Sequence, residues 1–66
     1  MDATLEPLLT VKEVAEILKV RPETVREEIS AGRLAATRVG SKGGVTRIDP
    51  KWLRAYLESR KIFAEN

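Results

Sequence analysis

The sequence predicts a mainly α fold with a small β-hairpin, ordered helix, helix, strand, strand, helix, and three observations predict it. Thr10-Val11-Lys12-Glu13, Arg21-Pro22 and Asp49-Pro50 each carry a helix-start signal. Beyond the second of these the apolar period drops from the helical repeat to two. A glycine-rich stretch, Gly40 to Gly44, then separates two β-prone runs.

Residues 1–8 show no periodicity and contain Pro7, so they read as a flexible N-terminal lead-in. Order begins at Leu9. Thr10 to Glu13 form a capping box, in which hydroxyl and carboxylate each take the other residue's backbone amide, and Leu9 and Val14 occupy the positions of a hydrophobic staple. Val11, Val14, Ala15 and Leu18 fall on one helical stripe, leaving Lys12, Glu13, Glu16 and Lys19 to solvent, which sets the first helix at 11–18. Lys19-Val20-Arg21 is the turn, with Val20 expected to fill the gap between two helices.

Pro22 suits the first position of the second helix, where a missing amide costs nothing, and it drives Arg21 out of helical backbone. Glu23 complements the positive end of the helix dipole, Val25 and Ile29 mark the inner face, and Gly32 closes the helix in left-handed backbone, giving 22–31. A strand from Leu34 to Val39, a tip at Gly40 to Gly44 and a return strand at Val45 to Ile48 make the hairpin. Asp49 caps the third helix, Pro50 starts it and Ile48 staples Leu53; Trp52, Leu53, Tyr56 and Leu57 are its expected apolar face, and it runs to about Lys61. The predicted organisation is thus a lead-in at 1–8, a winged helix-turn-helix (α-α-β-β-α) domain at 9–61 and a tail at 62–66. In that tail Ile62 and Phe63 are apolar enough either to pack back on Leu57 or to meet a partner.

With 66 residues, 42% of them apolar and 33% charged, the chain fits one small domain that must be held by packing. It contains neither cysteine nor histidine, which removes disulfides, thiolate chemistry and the commonest general base and metal ligand. Ser30 and Ser41 have no histidine to activate them, and no carboxylates are spaced as a metal site, so neither an enzyme nor a cofactor is expected. No apolar run is long enough to span a membrane, and Met1 to Thr4 lack the cationic start of an export signal; the expected location is cytoplasmic.

The net charge of +2 is unevenly spread. Residues 1–32 hold four cations against seven acids, while residues 33–66 hold eight against three, among them Arg33, Arg38, Lys42, Arg47, Lys51 and Arg54. Such a gradient is the footprint of a phosphate-binding surface. A helix is about as wide as the major groove, and helix-turn-helix proteins present the N-terminal half of their second helix to base edges. Arg21, Glu23, Thr24 and Arg26 are therefore the candidate groove contacts: Arg26 for guanine, Glu23 for a cytosine amine, Thr24 for a thymine methyl or for packing, and Arg21 for a phosphate at the groove edge. Arg38, Lys42 and Arg47 are the candidate hairpin contacts to backbone or minor groove, with Lys42 at the tip either a DNA-tracking arm or part of a plain surface loop. Glu27 and Glu28 would repel phosphate and are expected to stay outside the phosphate interface, as ion-pair partners on the helix surface.

Leu8 to Val20, then Thr24-Val25, Ile29, Gly32-Arg33-Leu34 and Arg38-Val39-Gly40, resemble the excisionase and MerR-like winged-helix family. The resemblance implies a recognition helix in the major groove and a hairpin wing on the neighbouring minor groove or backbone, roles it lays on Arg21, Thr24 and Arg26 and on Arg38, Lys42 and Arg47. MerR-type regulators carry a long dimerisation helix and an effector domain beyond this module, whereas phage and mobile-element excisionases are of this size. The expectation is therefore an architectural double-stranded-DNA binder that directs an integrase toward excision, partnered by that integrase and by further copies of itself on DNA. A small transcriptional regulator and a protein-interaction module that does not bind DNA are the alternatives.

Overall fold

The computed structural model describes residues 7–61. Readings made for residues 1–6 and 62–66, including Ile62 and Phe63, lie outside the described residues. The elements run β1 (Leu9–Thr10), α1 (Val11–Leu18), α2 (Pro22–Ser30), β2 (Thr37–Val39), β3 (Val45–Ile48) and α3 (Pro50–Ser59).

The fold is the expected mainly α one with its hairpin, and it carries one strand that periodicity did not reveal. β1 pairs antiparallel with β3, Leu9 opposite Ile48 and Thr10 opposite Arg47, so the hairpin becomes a three-stranded sheet in the order β1-β3-β2. Two residues are too short for an alternation signal. Their partner is nearly forty positions away, and only the closed fold brings it alongside.

Seven residues from five parts of the chain make the core: Val11, Val14 and Ala15 of α1, Val25 of α2, Leu34, Ile48 of β3 and Leu53 of α3. Leu34, Ile48, Val14 and Val25 are the most completely covered, each worth roughly 1.5–3 kcal/mol of apolar burial. Leu34 differs from the sequence reading. It precedes the strand, which starts only at Thr37, and its amide donates to the Glu28 carbonyl at 3.2 Å, so the segment after α2 folds back on that helix before the sheet begins.

Other departures are equally local. Val20 does not fill an interhelical gap but stays 40% exposed, because α1 ends in a Schellman motif: the Val20 amide donates to the Ala15 carbonyl at 3.0 Å, that of Lys19 to Glu16 at 3.3 Å, and Lys19 adopts left-handed backbone. On α3 only Leu53 is buried and Tyr56 half-buried, whereas Trp52 and Leu57 are exposed. At about 100° per residue the latter two lie some 70° to either side of the Leu53–Tyr56 direction, at the edges of the stripe. α3 stops at Ser59, short of the expected Lys61.

Candidate nucleic-acid interface

The capping box that starts α1 is complete: the Glu13 amide donates to the Thr10 hydroxyl at 3.0 Å and the Thr10 amide to the Glu13 carboxylate at 2.8 Å. This fixes the entry of α1 beside β3, since Thr10 is also the β1 residue opposite Arg47. α2 begins at Pro22 with extended Arg21 before it, whose carbonyl accepts from the Thr24 amide at 2.9 Å. Gly32, at φ +80°, closes α2, with the Arg33 amide donating to Glu28 and the Gly32 amide to Ile29, both at 3.0 Å.

With Val25 buried and Ile29 half-buried, the helical repeat turns Glu23, Arg26, Glu27 and Ser30 outward. Arg26 and Ser30 lie on the flank facing the hairpin. Thr24 lies about 160° round the axis from Arg26, on the other flank and half-buried.

The hairpin tip is a tight turn in which the Gly44 amide donates to the Ser41 carbonyl at 3.1 Å and both central residues, Lys42 at φ +54° and Gly43 at φ +91°, take positive φ. Gly44 cannot be replaced without movement: a Cβ there meets the Val39 carbonyl oxygen at 2.6 Å. Arg38 Nη1 donates to the Gly43 carbonyl at 3.0 Å and Arg47 Nη1 to the Thr46 carbonyl at 2.8 Å, so the two wing arginines are oriented by the wing's own backbone.

The second helix and the wing share a face. A recess of about 310 Å³ is walled by Thr10 and Lys12 from the start of α1, Arg26 from α2, and Val45, Thr46 and Arg47 from β3. A second, of about 240 Å³, has Arg26, Ile29 and Ser30 on one side and Arg38 and Thr46 on the other. Arg26, Thr46 and Val11 line both, so the two form one trough between α2 and the wing, with four cations and no acid in its walls. Of the predicted site residues, the fold gathers Arg26, Arg38 and Arg47 here. Arg21 and Glu23 are exposed outside the trough, Thr24 is half-buried outside it, and Lys42 is exposed at the wing tip.

Residues 8–61 match the family described as a helix-turn-helix domain. The chain belongs to that family. As an excisionase-like helix-turn-helix domain it is a small DNA-binding protein, and α1, the Lys19–Arg21 turn and α2 are its eponymous unit. No curated protein and no solved structure matches it. Among the described residues of this helix-turn-helix domain, no helix is long and apolar enough to cross a membrane.

One cationic assignment changes in three dimensions and another gains a setting the sequence did not show. Arg33, counted with the phosphate-facing cations, is instead clamped to Glu28 through Nε at 3.0 Å and Nη2 at 2.8 Å. That carboxylate also accepts from the Tyr56 hydroxyl at 2.9 Å. The hydrogen bonds from Arg33 and then Tyr56 hold the Glu28 carboxyl down at about 2, and Arg33 in turn is held more firmly protonated by the same carboxylate. Lys12 is solvent-exposed on α1 as expected, and because β1 pairs with β3 it also stands in the trough wall with Arg47. The signal that would have located it is that pairing, which two residues of strand could not announce.

Proposed function

We propose that this helix-turn-helix domain is an excisionase-type architectural protein, which lays α2 in a DNA major groove, grips the adjoining backbone with its wing and steers an integrase toward excision. The observation that carries the docking mode is the acid-free trough between α2 and the hairpin, into which Arg26, Arg38 and Arg47 converge. A duplex approaching α2 from that side meets helix and wing together, which is the arrangement a winged domain needs.

The contacts divide by charge. Glu23 and Glu27 point outward from α2 and are unsuited to phosphate, but a carboxylate on the groove floor accepts from the cytosine amino group. Arg21 at the helix entrance, with Arg38, Lys42 and Arg47 on the wing, serves the backbone, and Thr24 completes the N-terminal half of α2. The excisive role rests on membership of an excisionase-like family together with the winged docking face.

The experiment is a recombination assay with an integrase encoded beside the gene, run with and without the protein. A shift in yield from integration to excision is expected. Salt-sensitive retention of duplex DNA with no change in recombination would eliminate the excisive role and leave a regulator that occludes its site.

A further inference from the structure

The larger half of the trough has a composition that the docking mode alone does not require. Three elements far apart in sequence each place one cation in its wall: Lys12 from the first turn of α1, Arg26 from the middle of α2 and Arg47 from the central strand. Like charges confined to one recess repel each other, and a fold ordinarily interleaves acids among them. Here no acid stands in the wall, and two acids of α1 and α2 are engaged elsewhere. Glu13 caps Thr10, and Glu28 holds Arg33 and Tyr56 on the flank of α2 away from the wing. Among the described residues neither the Lys12 nor the Arg26 side chain makes a hydrogen bond or ion pair. Arg47 is anchored through one Nη to the Thr46 carbonyl, and its remaining donors are not used by any bond within the fold.

We infer that this recess seats a backbone phosphate of the bound DNA between Lys12, Arg26 and Arg47, which makes Lys12 a DNA contact and assigns Arg26 to the phosphate and not to a base. Two guanidinium forks and an ammonium, converging from three sides, match the tetrahedral spread of phosphate oxygens, whereas a single base edge offers one plane. The Val45 and Val11 side chains in the same wall supply apolar surface for the adjacent sugar. Onward, the trough passes Ser30 and Arg38, so the strand has a cationic path away from the seat. Because Thr10 lies opposite Arg47 in the sheet, the seat is built only when β1 is docked, and binding there also clamps the start of α1.

This inference rests on the docking mode proposed above, and a methylphosphonate scan tests the two separately. Each phosphate across the protected site is replaced in turn by an uncharged methylphosphonate, and affinity is measured for wild type and for Lys12→Gln, Arg26→Gln and Arg47→Gln. In the wild type one linkage carries a large penalty, and that same linkage loses its penalty in all three variants. Each variant also binds every duplex more weakly by a similar factor, and the slope of log affinity against log salt falls by about one unit. Lys12→Arg, which keeps the charge, restores the penalty and the slope. Thermal unfolding of Lys12→Gln stays at the wild-type midpoint or slightly above it, since the side chain is exposed and its neighbours in the recess are cations. A Lys12→Gln protein identical to wild type at every linkage overturns the inference, as does an Arg26→Gln protein that changes preference at one base pair while keeping the wild-type linkage profile. A wild type whose duplex binding ignores salt overturns the docking mode, and the seat with it.

Discussion

Tyr56 donates its phenolic proton to the carboxylate of Glu28 at 2.9 Å, across twenty-eight positions of chain, and so ties α3 to α2. The same carboxylate takes both guanidinium bonds of Arg33 just past the end of α2. Glu28 thus holds the C-terminal end of α2 against the rest of the fold, and a carboxylate that would repel phosphate is turned to that task.

Stability is expected to depend on pH through this carboxylate. Its folded pKa is held at about 2 against an ordinary 4.5, chiefly by Arg33 and then by Tyr56, so its contribution is complete above pH 4.5 and is lost as the pH falls toward 2. Urea unfolding measured from pH 6 to pH 2 checks this: Glu28→Gln is expected to flatten the decline over that window. On the alkaline side burial, then the bond to Glu28, pushes the Tyr56 hydroxyl up, so its contribution is present below pH 10 and fades as the pH rises through that raised value. Tyr56→Phe is expected to remove this alkaline limb.

Arg33→Ala is expected to lower the unfolding midpoint while leaving the salt dependence of DNA binding unchanged, since its guanidinium is spent on Glu28. Arg38→Ala and Lys42→Ala, by contrast, should each weaken binding to all sequences alike and reduce the salt slope by about one unit. Titrations of labelled duplex at several salt concentrations separate the two classes, and an Arg33 variant that lost slope would place that residue on the DNA after all.

Lys42 pays for its position at the wing tip with left-handed backbone. Lys42→Gly is expected to raise stability by up to about 1 kcal/mol while lowering DNA affinity, because the strain is relieved and the charge is lost in one change. Gly44→Ala is expected to act oppositely on the fold, disrupting the hairpin through the clash with the Val39 carbonyl and weakening DNA binding as a consequence. Thermal denaturation alongside mobility shift reads both variants.

Leu34→Ala is expected to cost about 2–5 kcal/mol, the range for a large-to-small change at a fully enclosed site. In a domain of this size that approaches the whole stability, so loss of cooperative unfolding by circular dichroism is the expected result. Thr10→Ala should cost about 1 kcal/mol through the lost cap.

What the sequence determined by itself is where the helices start, where α2 closes and which face of α1 is apolar. The capping box at Thr10, the proline starts at Pro22 and Pro50, the Asp49 cap, the closing Gly32 and the apolar stripe of α1 all rest on contacts the chain makes with itself locally, and each stands in the structure. The tertiary structure decided what depends on which distant segments meet. Arg33 has Glu28 five positions before it, but the turn at Gly32 has to fold the chain back on α2 before the two meet, and Lys12 reaches the trough only through a strand pairing that spans nearly forty positions of sequence. Glu28, which also takes the Tyr56 hydroxyl, holds the first outside the trough, and the pairing of Thr10 with Arg47 sets the second in the trough wall. Charge acts through space, so its partners are fixed only when the chain has closed.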